Sequence, residues 1–527
     1  SSVTARGTDG NNVLRVDTGK LSNYGALPDL STSGQTEDDN DTDTAAPVDR
    51  DALTTGFSLI DQDKETEDAS GLVVNATSRT KQQAITIAGS ASASKGFAAN
   101  VSTNVSTSSA EALVTGSEVN SGVAGADVRV RANAHEAGLS IAVGGSISGS
   151  AGVGGVATNS QKKAAQATVD DSNINADSVV IGANTSKVAQ AVSAGIAVGT
   201  GDGGIGGAAS VVITEQSGST RSWLRGGTMV ANALEVSSDR RQEANVAAGS
   251  AGIGPKAGIG FGLAVNLIGD DSSALIGNNL SDASDSRNTV VQVSDVTVDA
   301  DRFENVNSYA FGAGVSGGVG AAAMINVTEF SGETRAAIHG KAAGNAYTTK
   351  VLSKDGTGQA NTVSVNGQEI LRANHAAFGI GVGAKVGIGA VANVVLGRSQ
   401  VYGEIVGSDI QSGLLDIDAT AQREADLLSV AGAAGQAAAA VSIGVALFGQ
   451  GDSTAEDGTN AEDEFDPSRS VANDALTSGY LGLNTQLDSG ELAVAEAGSA
   501  GTVAGGNTPT TVTATATGQS LRIDGES

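Results

Sequence analysis

The feature that most constrains this chain is an internal repeat written in period-two alternation. Val296-Thr297-Val298 matches Val363-Ser364-Val365 at a shift of 67 residues. Without a gap, the same shift pairs Ala310-Phe311-Gly312 with Ala377-Phe378-Gly379, Asn326-Val327 with Asn393-Val394, Ile338 with Ile405 and Gly340 with Gly407. Thr214-Glu215-Gln216-Ser217-Gly218 matches Thr328-Glu329-Phe330-Ser331-Gly332 at 114 residues, a span of two units. Glu243-Ala244-Asn245-Val246 matches Glu424-Ala425-Asp426-Leu427. These anchors define about seven copies, the first and last incomplete, starting near residues 82, 126, 177, 232, 295, 362 and 413. Unit length runs from 51 to 67 residues, as insertions in turns between fixed strands would produce.

Each unit opens on a short alternating strand such as Val128-Arg129-Val130, Leu234-Glu235-Val236 or Leu415-Asp416-Ile417. A polar stretch follows, for example Ser238-Asp239-Arg240-Arg241-Gln242-Glu243, and then a Gly/Ala-rich alternating stretch such as Gly379-Ile380-Gly381-Val382-Gly383. The unit closes on Ala337-Ile338-His339-Gly340 or Glu404-Ile405-Val406-Gly407. Alternation with β-branched residues is a strand signature, and no long stretch carries helix periodicity with caps. The fold class is therefore all-β, a repetitive, parallel β-helix-like solenoid with Gly/Ala-rich strands. A unit of this size fits one large rung or two to three smaller ones. In the Gly/Ala stretches the Ile and Val side chains fall on one face, expected to fill a narrow core. The bare face is expected to let another sheet layer or chain approach.

Composition agrees with repetition rather than with ordinary globular domains. Gly accounts for 73 of 527 residues and aromatics for 3%, so the bulk that fills a layered core is scarce. Three segments follow: an acidic N-terminal segment 1–81, the repeats over 82–450, and an acidic insertion with a C-terminal β segment over 451–527. Both ends carry a related phrase, Asp51-Ala52-Leu53-Thr54-Thr55-Gly56-Phe57 and Asp474-Ala475-Leu476-Thr477-Ser478-Gly479-Tyr480, the mark of a higher-order repeat. The formal charge of −28 repels nucleic acid and anionic lipid. With no cysteine there is no disulfide or thiolate site. The uncharged run 430–449 is long enough to cross a bilayer, but Ala and Gly dominate it, and related stretches carry Asp202, Lys256 or Lys385. No membrane span is expected.

Chemistry is sparse. His135, His339 and His375 share no metal-ligand spacing, and two of them follow a repeated Arg-Ala-Asn phrase. Gly201-Asp202-Gly203-Gly204-Ile205-Gly206 lacks the Lys-Ser/Thr ending of a phosphate loop. Asp39, Asp41 and Asp43 alternate as calcium ligands can, but Thr44 and Arg50 stand where an EF-hand loop needs Gly and Glu. Trp223, the only tryptophan, reads as a packed or interface aromatic rather than a sugar platform. Thr511, Thr513, Thr515 and Thr517 read as one exposed strand. No catalytic, cofactor-binding or metal-binding residue is assigned, and the chain reads as a non-enzyme. Calcium is the one cofactor considered.

The Gly258-Ile259-Gly260-Phe261-Gly262-Leu263-Ala264-Val265-Asn266 string and the Thr334-Arg335-Ala336-Ala337-Ile338-His339-Gly340 closing resemble the large filamentous adhesins and leukotoxin-like exoproteins of two-partner secretion. The likeness covers roughly residues 82 to 450. It implies a right-handed parallel β-helix, export through an outer-membrane pore, and a role in adhesion, biofilm or surface filaments. The expected function is that of a structural or adhesive protein at a bacterial surface, extracellular and self-associating, with a polysaccharide or cell-surface ligand as a further partner. The alternatives are a polysaccharide-acting β-helix enzyme and a binding segment of an autotransporter or phage fibre.

Overall fold

In the computed structural model the described residues are 3–7, 14–21, 64–69, 71–120, 126–448 (apart from 280, 281, 283, 344 and 345) and 513–517. Seven rungs stack in one predominantly parallel sheet system. Each repeat is one large rung. A long outgoing limb, such as Gly227–Gly254, reverses at a tight tip and returns as a second long limb, Ala257–Gly277. A short limb then closes the base, as at Asn173–Asn175, Thr349–Leu352 and Ser408–Ile410. Gly71–Thr115 and Asp127–Asp170 run through the tip without a break, and pairing of the first two rungs reaches back to Gly71 opposite Asp127.

The repeat matches in the sequence are neighbours in space. Val298 lies opposite Val365 and Ile338 opposite Ile405, all four buried. Thr214 and Thr328 both pair with Asn266, on the rung between them. Glu243 reaches Glu424 through Asn305 and Arg372, three rungs along one column. The variable unit length resides at the base. From the fifth rung to the sixth the register shift is 60 residues on the short limb but 67 on both long limbs. The seven added residues therefore lie in the loop between Leu352 and Ala360, clear of the long limbs.

Beyond a polar and charged middle layer the inward side chains shrink toward the tip, and this taper shapes the cross-section. At the base, Val128, Val179, Leu234, Val296 and Val363 form one buried column, and Val130, Ile181, Val236, Val298 and Val365 form the next. They meet Leu224, Ile276 and Ile338 of the return limbs and Ile174, Met229, Val291 and Val351 of the short limb in one aliphatic core. Toward the tip the inward positions of the fourth rung become Ala248, Ser250 and Gly252, and those of the fifth Ser308, Ala310 and Gly312. A Cβ added at Gly314 would lie 2.0 Å from Ala321 O, and one at Gly381 would lie 1.9 Å from Ile388 O. The two long limbs thus close on each other as a thin fin with backbone against backbone. Only glycine fits there.

This corrects the expectation for the Gly/Ala stretches. The bare face is the inner one, where the opposite limb of the same chain approaches. The Ile and Val side chains point outward, as with Ile253, Ile259, Val315, Ile380 and Ile388, all exposed. In the fourth to sixth rungs the gap between the limbs is too narrow for side chains, so backbone proximity overrides the usual preference for apolar residues inside, whereas in the second and third rungs Val153 and Ala197 still point inward. The described part of the run 430–449, residues 430–448, is likewise β apart from a bend at 435–436, contributing the end of Ser412–Ala434 and all of Ala437–Phe448. Among the described residues no helix is long and apolar enough to cross a membrane.

Candidate functional site

Two features of the rungs stand out chemically: a column of buried charges inside and a continuous apolar surface outside. The charges lie between the aliphatic base and the fin. Strand alternation turns Arg240 and Gln242 inward from the polar stretch of the fourth rung, while Asp239 and Arg241 face outward and pair with each other at 3.2 Å. Asp270, on the return limb, is contacted by Arg240 and by Lys187 Nζ at 3.1 Å, and all three side chains are inaccessible to solvent. One rung on, Arg302 contacts Glu304 at 2.7 Å and Glu369 at 3.3 Å; Glu369 also accepts from Arg423 at 3.0 Å and from Ser399 at 2.6 Å. At the other end, Lys163 Nζ donates to His135 O at 2.8 Å and to Thr80 Oγ1 at 3.2 Å.

Burial is the main force on these groups. It lowers the Lys187 ammonium to about 7 even with Asp270 beside it, because Arg240 shares that carboxylate. Burial raises Glu304 to about 7. Arg302 moves the other way, above its ordinary value despite its burial, since two carboxylates, Glu304 and Glu369, face its one charge. Glu304 has the weaker position of the pair: it shares that cation with Glu369, and its Oε2 has no hydrogen-bond partner.

The sign of the resulting pH dependence follows from linkage. Between 4.5 and about 7 the folded chain holds a proton on Glu304 that the unfolded chain has released, so stability falls as pH rises through this window. Between about 7 and 10.5 the unfolded chain holds a proton that Lys187 has released, so stability rises with pH. The column alone therefore gives a stability minimum near neutrality. His375, held to about 3 by burial, adds an opposing slope below 6.5. Urea unfolding as a function of pH should show Glu304→Gln removing the falling slope between pH 4.5 and 7. In the same series Lys187→Met should remove the part of the alkaline rise that begins near 7, leaving the part from Lys163, which burial lowers to about 8.

The residues weighed in the sequence separate cleanly. His375 is buried against Thr328 Oγ1 at 2.7 Å, His339 contacts Glu404 at 2.8 Å, and His135 lies on the second rung. Among the described residues no group of three or more His, Asp or Glu could hold a metal ion. Trp223 is buried, donates Nε1 to Gly277 O at 2.9 Å and lies under Arg225 at 4.2 Å. Gly201-Asp202-Gly203-Gly204 forms the tip turn of the third rung. Thr513–Thr517 is a strand pairing with Tyr402 to Val406. Asp39, Asp41, Asp43 and Thr511 lie outside the described residues, as do both phrases of the higher-order repeat.

The outer surface of the fin is the feature the sequence reading missed. On the outgoing limbs four outward columns cross seven rungs. One runs Ile85, Ile141, Val192, Ala247, Tyr309, Ala376, Leu428. The next runs Ile87, Val143, Ala194, Gly249, Phe311, Phe378, Val430. The remaining two, through Ala251 and Ile253, contain only Gly, Ala, Val and Ile. No charge interrupts them. The return limbs present a second such face, for example Val101, Val156, Val211, Leu263, Ile325, Ala392 and Ile443. An exposed apolar surface of this extent marks a contact site. No protein-family model, curated protein or solved structure matches the chain.

Proposed function

We propose that this chain is a structural and adhesive scaffold of the bacterial exterior, acting through repeated β rungs and surface contact rather than through a reaction. The observation that carries the reading is the fin, whose two outer faces are apolar without interruption across all seven rungs. A chain carrying −28 that nonetheless maintains two such faces is built to be covered on them. The resemblance of its repeats to filamentous adhesins of two-partner secretion supports the same role and an extracellular address.

The proportions of the rungs add to this. An outgoing limb such as 233–254 spans roughly 70 Å at 3.3 Å per residue, whereas seven rungs about 4.8 Å apart rise only about 30 Å. One chain's described rungs make a flat paddle, and length along the axis comes only from further rungs or further copies. The test is electron microscopy of the purified chain together with adsorption to uncharged hydrophobic beads. Paddle-shaped particles that coat the beads are expected. Compact globules that stay in the supernatant would overturn the reading.

A further inference from the structure

The outgoing-limb face of the fin has a texture that identifies its occupant. In the fourth rung the outward side chains are Ala247, Gly249 and Ala251, which leave a groove across the sheet. In the fifth rung their neighbours are Tyr309, Phe311 and Ala313, and the two aromatic rings form a ridge about half exposed. Groove and ridge are adjacent, about 4.8 Å apart.

The fold does not require Gly249 to be glycine. A Cβ added there meets nothing nearer than Ser193 O at 4.0 Å, unlike the inward glycines of the same limb. A bare residue in an open strand position lowers stability by about 0.5–1 kcal/mol relative to Ala. The groove therefore serves something outside the chain.

We propose that a second copy of this chain docks on this face, related by a two-fold axis lying in the interface, parallel to the strands, between the fourth and fifth rungs. This operation lays each fifth rung on the partner copy's fourth. Phe311 then drops into the gap over Gly249, and Tyr309 covers Ala247. The same operation sets Phe378 of the sixth rung over Ala194 of the third, again large on small. A contact of this kind is isologous and closes as a dimer.

Size and border fit as well. Four columns by the six rungs that face each other across this axis, the second to the seventh, make a patch on the order of 700–800 Å², close to the roughly 800 Å² per partner of a stable interface. On its base side the patch is edged by Asn245, Asn307 and Asn374, whose amides bond rung to rung at 2.9 and 3.0 Å. An apolar centre with a polar rim is the usual anatomy of protein contacts. With no charge on the patch, the acidity of the chain is kept off the contact.

The inference rests on the scaffold reading and names its partner. Sedimentation equilibrium of the full chain, with Gly249→Val, Phe311→Ala and Leu414→Ala variants, tests it. Gly249→Val adds apolar surface in open space, so the fold should keep its circular dichroism and melting temperature. By filling the groove it should nevertheless weaken the dimer at least about tenfold, and Phe311→Ala should do the same. Leu414→Ala, which trims an exposed residue off the fin, should leave the dimer intact. A dimer as tight or tighter in Gly249→Val would mean unspecific stickiness and would overturn the proposal. So would a wild-type chain that stays monomeric and floats with phosphatidylcholine vesicles, lipid then being the occupant. A monomer that still coats hydrophobic beads would sink this interface and leave the scaffold reading standing.

Discussion

Replacing Asp270 with Asn should destabilise the central rungs by about 3–5 kcal/mol, the largest effect expected of any conservative substitution in this chain. Asp270 is the one carboxylate contacted by both Lys187 and Arg240, and none of the three reaches solvent. Neutralising it leaves the buried Arg240 guanidinium without its contacting carboxylate and pushes Lys187, lowered to about 7 even with Asp270 present, further toward the neutral amine. Lys187→Met should be far milder, because the Asp270–Arg240 pair survives and an apolar chain of similar length fills the space. The contrast separates the worth of the ion pair from the penalty of an orphaned charge. Because repeat arrays unfold in parts, hydrogen exchange resolved by rung is the appropriate readout. Protection lost in rungs three to five for Asp270→Asn, but kept for Lys187→Met, is the expected result. Equal loss in both would show that packing, not charge, holds this layer.

The second large effect belongs to the tip. At Gly314 an added methyl would stand 2.0 Å from Ala321 O and 2.5 Å from Gly258 O, both backbone atoms that cannot turn aside. Gly314→Ala should therefore force the limbs apart and lower stability by about 1–3 kcal/mol or more. Gly249→Ala, on the outer side of the same fin, should be neutral or mildly stabilising. Thermal melts of the two alanine variants make the comparison directly. If Gly314→Ala melts with the parent, the limbs are not in backbone contact.

Much of the stacking was legible in the sequence. The openers Val296-Thr297-Val298 and Val363-Ser364-Val365, and the closers at Ile338 and Ile405, align because base columns need the same aliphatic bulk in every rung. The direction of the Gly/Ala stretches was not legible. Alternation states that two faces differ, and the preference for apolar residues inside then chose the wrong one. What decides the matter is the distance to the opposite limb, which no single strand records. Nor could the charge column be seen, since Lys187, Asp270, Arg302 and Arg423 belong to different repeats. In the linear chain Arg240 and Arg241 look alike, and only the register shows that one is sealed in and the other wet.

The taper of the fin also divides its sequence into two independent texts. Inward positions near the tip are confined to residues no larger than the gap allows, so they specify the shape and can say little else. Outward positions touch no opposing limb, and one column accommodates Ala247, Tyr309, Ala376 and Leu428 on successive rungs without altering the backbone path. A lineage could therefore rewrite what the fin recognises, residue by residue, while the shape that presents it stays fixed.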